Sequence, residues 1–184
     1  MSLAEVKAAA RKAAFARRKE AQAKDPGTGA GHLSSFLAGH RGVPLAGYMP
    51  INTEIDPIPA MEEAAAYGPV AVPVILGAGQ ALKFREWTPG CELQEGAFKA
   101  LIPVSGAWIE PEIVIVPLVA FDRKGGRLGY GGGFYDRTLE GLRSRRATQA
   151  IGFAYAVQEA EMLPLEPTDQ PLDAIITEQG VVLP

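Results

Sequence analysis

Four consecutive β-branched residues, Ile113-Val114-Ile115-Val116, open the longest apolar run of the chain, and a few residues later come Gly129, Gly131, Gly132 and Gly133. A segment apolar at every position, rather than at alternate ones, is the pattern of a strand covered on both faces. Such a strand needs a layer of helices on each side, which points to a sheet in the middle of an α/β stack. The pattern predicts a strand over residues 112–121 and, directly after the glycines, a helix over 133–145.

The remaining periodicities fit that frame. Ser2 with Glu5 three residues on forms a capping-box pattern, and the Ala-, Lys-, Arg- and Glu-rich stretch 3–23 predicts a long helix stopped by Asp25-Pro26-Gly27. Lys7 and Arg11, four apart, share one face of it. Residues 27–42 are Gly-rich, with a short helix expected over 32–38. Strands are expected over 43–49, 70–76, 82–87, 149–154 and, as the last one, 174–177. A helix is expected over 54–66, with Pro57 and Pro59 in its first turn. Strands alternating with helices at these spacings predict a three-layer α/β/α fold with a largely parallel mixed sheet, formed by residues 1–184 as a single domain.

Composition narrows the function classes. The formal net charge is -3, a poor basis for nucleic-acid binding by the whole surface, so any phosphate recognition must be local. The single cysteine, Cys91, excludes an internal disulfide. The only histidines, His32 and His40, lie in the Gly-rich N-terminal stretch, a weak basis for a Cys/His nucleophile. No apolar run reaches the roughly 18 residues a membrane span needs. The first helix lacks the apolar core of a secretory signal, and its acidic Glu5 and Glu20 count against a transit peptide. The expectation is a cytoplasmic protein that binds neither membrane nor nucleic acid.

The stretch 116–140, VPLVAFDRKGGRLGYGGGFYDRTLE, carries the chemistry. A buried strand followed by glycines and a helix presents free backbone N–H groups and a helix N-terminus to an anion. Glycine is needed where backbone must approach a ligand or adopt positive φ. The same layout also serves a tight loop with no ligand. It lacks the Gly-Lys-Ser/Thr of a P-loop. It also departs from the dinucleotide fingerprint, because its glycines are too dense and no strand is expected immediately before them.

Phe121-Asp122 followed by Gly126-Arg127-Leu128-Gly129-Tyr130-Gly131-Gly132-Gly133-Phe134-Tyr135-Asp136-Arg137 resembles the signature of the 5-formyltetrahydrofolate cyclo-ligase family. The resemblance extends to Lys7 and Arg11, to residues 48–56 with Glu54, to the strands around Val72-Pro73 and Phe84, to residues 93–98 as a further central strand, and to Asp169. It implies a NagB/RpiA/CoA-transferase-like architecture and ATP-dependent cyclisation of 5-formyltetrahydrofolate, with or without a polyglutamate tail. The product would be the 5,10-methenyl form, with ADP and phosphate released through a phosphorylated formyl intermediate.

The resemblance also implies roles. Lys7, Arg11, Arg127, Leu128, Gly129, Tyr130, Gly131, Gly132, Gly133, Phe134 and Tyr135 would bind ATP. Met49, Glu54, Tyr130, Gly131, Gly132, Gly133 and Phe134 would bind the folate. Tyr135 and Arg127 would be catalytic, Asp136 and Asp169 would hold Mg2+, and the protein would act as a monomer. Many members carry arginine where Tyr130 stands, lysine where Gly132 stands and glycine where Leu118 stands. The missing charges put more weight on Lys7, Arg11, Arg127 and the loop amides.

Without the resemblance each residue has a plainer reading: Lys7 and Arg11 as a solvated helix face, Asp136 and Glu54 as first-turn acids, Asp169 as a turn residue, Phe134 and Tyr135 as packing. Asp122 serves a turn or the site equally well. The alternative function is a paralogue that keeps the ATP site but acts on another substrate or only binds ligand. More distant ones are a CoA-transferase or isomerase relative and an RNA-binding module.

Overall fold

Helix α1 (Leu3–Ala23) starts where local chemistry tells it to, as the computed structural model of residues 1–184 shows. Ser2 Oγ accepts from Glu5 N at 3.3 Å and Glu5 Oε2 accepts from Ser2 N at 2.7 Å, the reciprocal pair expected of a capping box. Helix α2 (Gly29–Leu37) follows and continues as a 3-10 turn over Ala38–His40. Strand β1 (Leu45–Ala46), α3 (Ile58–Ala65), β2 (Val70–Val74) and β3 (Lys83–Glu86) come next. Then come β4 (Leu93–Glu95), β5 (Leu101–Pro103), β6 (Trp108–Ile109), β7 (Ile113–Pro117), β8 (Ala120–Phe121) and β9 (Arg127–Leu128). The chain ends with α4 (Phe134–Arg145), β10 (Gln149–Phe153), β11 (Ala174–Thr177) and β12 (Gly180–Val182).

The main sheet has eight strands in the order β12-β11-β10-β7-β1-β2-β3-β6. Its middle, β11-β10-β7-β1-β2, is parallel, and β12, β3 and β6 add antiparallel edges. Strand β7 sits at the centre, and period-2 alternation divides its side chains between two cores. Ile113 and Ile115 pack with Leu33 and Leu37 of α2 and Met61 of α3. Val114 and Val116 pack with Leu139 and Leu142 of α4 on the other face. These are the three layers. Helix α1 lies outside them, over a smaller cluster of Ala14, Val119, Ala120, Leu128 and Leu163 just past the carboxyl end of β7.

Several expectations need correction. The run 112–121 is two strands, because the chain leaves the sheet after Pro117 and re-pairs as the β8–β9 hairpin. The carbonyls of Leu118 and Val119 at the break accept from Gln158 Nε2 at 2.9 and 3.1 Å instead of from a neighbouring strand. Only Leu45 and Ala46 of the expected strand 43–49 are paired. The helix expected from residue 54 begins at Ile58, with Pro57 at its cap, so Glu54 precedes it. Residues 93–98 do not enter the main sheet; Leu93–Glu95 pairs with Leu101–Pro103 in a separate hairpin. Strand β11 is not the last, since β12 folds back on it. A two-residue strand, β9, does precede the glycines, but it is half of an antiparallel hairpin rather than the first strand of a βαβ unit.

Ile115 is fully buried in the central strand. Ile115→Ala should destabilise the protein by about 2–5 kcal/mol, read as a lowered urea midpoint with little change in slope. A cost below ~1 kcal/mol would mean that β7 is not the packed centre described.

Candidate active site

The polar chemistry gathers where the parallel strands end. After β1 come Tyr48, Met49 and Glu54; after β7 come Leu118 and the β8–β9 hairpin; residues 129–133 then lead into α4. Open α/β sheets place ligands at this carboxyl edge. Helix α1 crosses it and is pinned at several points. Arg11 Nε donates to Gly129 O at 2.7 Å, Arg17 Nε donates to Val157 O at 2.8 Å, and Lys7 pairs with Glu166 and lies 3.6 Å from Asp169 Oδ2. Tyr155, after β10, donates its hydroxyl to Asp25 Oδ2 at 2.8 Å, just past the helix end.

The glycine loop is shaped by these contacts. Gly131 and Gly133 have φ of +104° and +69°, which side-chain-bearing residues adopt only at a cost. A Cβ on Gly132 would stand 2.7 Å from the Phe134 ring, and one on Gly131 3.4 Å from Arg11 Nη2. Arginines take two loop carbonyls: Gly129 O accepts from Arg11, and Gly132 O accepts from Arg137 Nη2 at 2.6 Å. The N–H groups of residues 130–133 donate to nothing in the chain. The first helical bond of α4 runs from Arg137 N to Gly133 O, so the amides of its first turn are also free of helical partners.

Buried Arg127 and half-buried Asp136 form an ion pair, Nη2 to Oδ1 at 2.6 Å, and Asp136 Oδ1 also accepts from Gln170 N at 2.9 Å. That second bond brings Asp136 to the backbone beside Asp169. Asp169 Oδ2 in turn accepts from Glu166 N at 2.7 Å. Arg127 Nε and the Tyr135 hydroxyl are both buried without a partner. Uncompensated buried donors are rare and demand a reason.

On the other side of the loop, Glu54 Oε1 accepts from the Tyr130 hydroxyl at 2.8 Å and Oε2 from Ile51 N at 2.9 Å. Burial pushes the Glu54 carboxyl above the usual carboxylate range, and the Ile51 amide, the Tyr130 hydroxyl and Arg18 pull it partly back. Burial, then the charge of Glu54, push both Tyr130 and Tyr135 well above the ordinary phenol value, so both remain protonated donors.

The expected residues thus fall into one neighbourhood with two exceptions of detail. Leu128 turns its side chain into the cluster beneath α1, leaving its backbone as the part nearest the loop, and Met49 packs against the core on the α2–α3 side. Asp122 is a turn residue: Oδ1 accepts from Lys124 N and Gly126 N, both at 2.9 Å, and closes the β8–β9 hairpin. Cys91 is half-buried against the same core as Met49, and His40 stacks on Phe36.

Sequence reasoning missed Arg18, Glu166 and Arg137. Arg18 had a signal, because Lys7, Arg11, Ala14 and Arg18 repeat at 4, 3 and 4 residues and form the inward stripe of α1. Glu166 and Arg137 had none beyond a cation or acid near a loop.

Fold and loop together define a three-layer α/β protein with an anion-receptive cradle at the carboxyl ends of its central strands. The 5-formyltetrahydrofolate cyclo-ligase family model matches residues 4–178. The 5-formyltetrahydrofolate cyclo-ligase of Escherichia coli K12 is 36% identical over 149 residues, covering 74% of this chain and 79% of that protein. Its namesake from Mycolicibacterium smegmatis is 29% identical over 164 residues, covering 82% of each. The 5,10-methenyltetrahydrofolate synthetase of Aquifex aeolicus has a similar solved structure, with a TM-score of 0.78 at 29% identity, covering 97% of this chain and 92% of that one. That of Mycoplasma pneumoniae gives 0.71 at 25% identity, covering 94% and 98%. The chain belongs to the 5-formyltetrahydrofolate cyclo-ligase family.

Two glycine substitutions should have opposite effects. Gly133→Ala forces a side chain into left-handed backbone and sets a Cβ 2.8 Å from Arg137 Nη1. It should cost about 1–2 kcal/mol. Gly141→Ala, inside α4 with nothing closer than 3.7 Å, should stabilise by about 0.5–1 kcal/mol. Denaturant unfolding of both variants checks this; equal effects would contradict the loop geometry.

Proposed function

We propose that the chain catalyses the ATP-dependent cyclisation of 5-formyltetrahydrofolate to 5,10-methenyltetrahydrofolate, with release of ADP and phosphate. The observation that carries this is the convergence of the basic stripe of α1, the unpartnered amides of residues 130–133 and the Arg127–Asp136 pair on one edge of the sheet.

The chemical difficulty is a leaving group. A formamide oxygen does not depart as hydroxide near neutral pH. Transfer of the γ-phosphoryl group to that oxygen lets it leave as phosphate, while the neighbouring folate nitrogen closes the ring and releases its proton. In phosphoryl transfer the protein chiefly positions the reactants and neutralises charge. Lys7, Arg11 and Arg127 supply the cations, with Arg127 offering a planar fork suited to phosphate oxygens. Gly129 to Gly133 and the first turn of α4 supply N–H donors. The orphaned Arg127 Nε and Tyr135 hydroxyl fit an incoming anion, since each lacks an acceptor within the chain. Tyr135, kept protonated by its surroundings, donates toward the oxygens of the transferring phosphoryl group, which carry the charge in that step. Glu54 accepts from polar edges of the folate, Phe134 and Tyr130 flank its ring, and Met49 lines the apolar side.

Asp136 and Asp169 are the candidates to hold Mg2+. Mg2+ typically takes one or two protein carboxylates and keeps several waters, so two acids would suffice. When bound, the ion supplies charge neutralisation between the terminal phosphates. Lys7 and Arg127, paired with carboxylates here, would be free to reach phosphate oxygens if those acids held the metal. The continuous sheet from β12 to β6 supports one domain over residues 1–184. No helix is long and apolar enough to cross a membrane. The reading is of a monomer acting in the cytoplasm, on folates with or without a polyglutamate tail.

Purified protein given 5-formyltetrahydrofolate, ATP and Mg2+ should gain the near-ultraviolet absorbance of the methenyl product, and should not do so when ATP is withheld or the metal is chelated. A folded sample with no gain would overturn the function. Asp136→Asn keeps an oxygen to accept from Arg127 and Gln170 while removing the charge. It should lower kcat by roughly 100-fold with the fold retained; unchanged turnover would remove Asp136 from the metal site.

A further inference from the structure

Arg18 is the most deeply buried charge in the chain, with no exposed surface at all. Burying an arginine is costly unless its donors are met. Here they are met incompletely. Nε donates to Thr53 Oγ1 at 2.9 Å and Nη1 to Leu118 O at 3.3 Å, while Nη2 is buried with no partner. No carboxylate forms an ion pair with it. Its guanidinium carbon lies 5.1 Å from the Phe15 ring centroid and 5.6 Å from that of Tyr130, and those two rings lie 5.6 Å apart. A cation at these distances from two aromatic rings is attracted to both. The Tyr130 ring so held is the one whose hydroxyl donates to Glu54. Thr53, which anchors Nε, is the residue before Glu54. Arg18 therefore reaches both ends of the Tyr130–Glu54 hydrogen bond from a third element, whereas Arg11 bonds Gly129 O and Lys7 bonds Glu166.

We propose that Arg18 is a positioning residue for the folate half of the site. It clamps the Tyr130 ring and fixes Glu54 through Thr53, so that a carboxylate of set direction and charge faces the substrate. This rests on the cyclo-ligase reading. The groups facing Glu54 are Arg18 from α1, Tyr130 from the glycine loop, Tyr135 from α4, and the Ile51 amide on its own segment; Tyr48, with Asp56 nearby, faces it from the same stretch. Arg18 is the only cation among them, so its removal raises the pH at which Glu54 ionises.

The test is steady-state kinetics on wild type, Arg18→Met and Arg18→Lys, varying each substrate separately and repeating the folate series across pH. For Arg18→Met, KM for 5-formyltetrahydrofolate should rise roughly 10- to 100-fold while KM for ATP stays within about twofold. The acidic limb of kcat/KM for folate should move to higher pH. Arg18→Lys, which keeps the charge but loses the planar fork, should leave that limb in place and recover only part of the KM change. Should Arg18→Met fail to fold, Arg18→Lys is read by the same ratio of the two KM values. Equal rises in both KM values, an unmoved acidic limb in Arg18→Met, or wild-type kinetics in both variants would each overturn the proposal. A wild-type protein that makes no methenyl product would instead overturn the cyclo-ligase reading.

Discussion

One hydrogen bond, from Arg11 Nε to Gly129 O, joins the two parts of the chain that the site cannot do without. Helix α1 contributes nothing to the sheet, and the glycine loop has only the Tyr130 side chain, bonded to Glu54, with which to hold itself. Each is ordered by the other. The helix, roughly 30 Å long, is fastened along its length by Lys7, Arg11, Arg17, Arg18 and, past its end, Asp25. Every one of these ties reaches a segment outside the strands of the main sheet, so the helix gathers loops and not core. Its hydrophobic seat is correspondingly small, a cluster around Ala14. That division lets the three-layer core fold on apolar burial while polar contacts arrange the site at its edge.

The polar contacts are made at a cost that the site explains. Arg127 and Asp136 satisfy each other, but Arg127 Nε, Arg18 Nη2 and the Tyr135 hydroxyl are left without acceptors in places that water does not reach. Each such group costs about 1–3 kcal/mol. A fold selected for stability alone would replace them with apolar residues of like volume. These three stand around one loop whose amides at residues 130–133 are also free, an arrangement that suits negative charge, while Arg85 Nε and Arg146 Nε are orphaned elsewhere. Dipoles fixed before the ligand arrives do not have to be reorganised as charge develops.

How much of this could be read from residues alone varies with the range of the forces involved. Helix α1 was legible to its last residue, because its cap, composition and stop signal are all local. The start of β7 and both ends of β10 and β11 were legible within a residue or so, since apolar runs mark them. Strands of two residues, β1, β6, β8 and β9, have no period to detect and exist only through their partners. The break after Pro117 was invisible for the same reason: what ends the strand is the capture of the next carbonyls by Gln158, forty residues on. The candidate site was legible in its glycines and in the pair Lys7 and Arg11. Tyr130 looked like a lost charge in the sequence. In the fold a guanidinium does stand beside it, carried by Arg18 on another element, and no spacing rule relates positions 18 and 130.

The central claim is that α1 and the glycine loop grip a nucleotide tail between them. A crystal structure with a non-hydrolysable ATP analogue and Mg2+ tests it most directly. The phosphates should lie within hydrogen-bonding distance of Lys7, Arg11 and the amides of residues 130–133, with the metal against Asp136 or Asp169. Phosphates bound elsewhere on the chain, with α1 and the loop unchanged and making no contact to them, would contradict it.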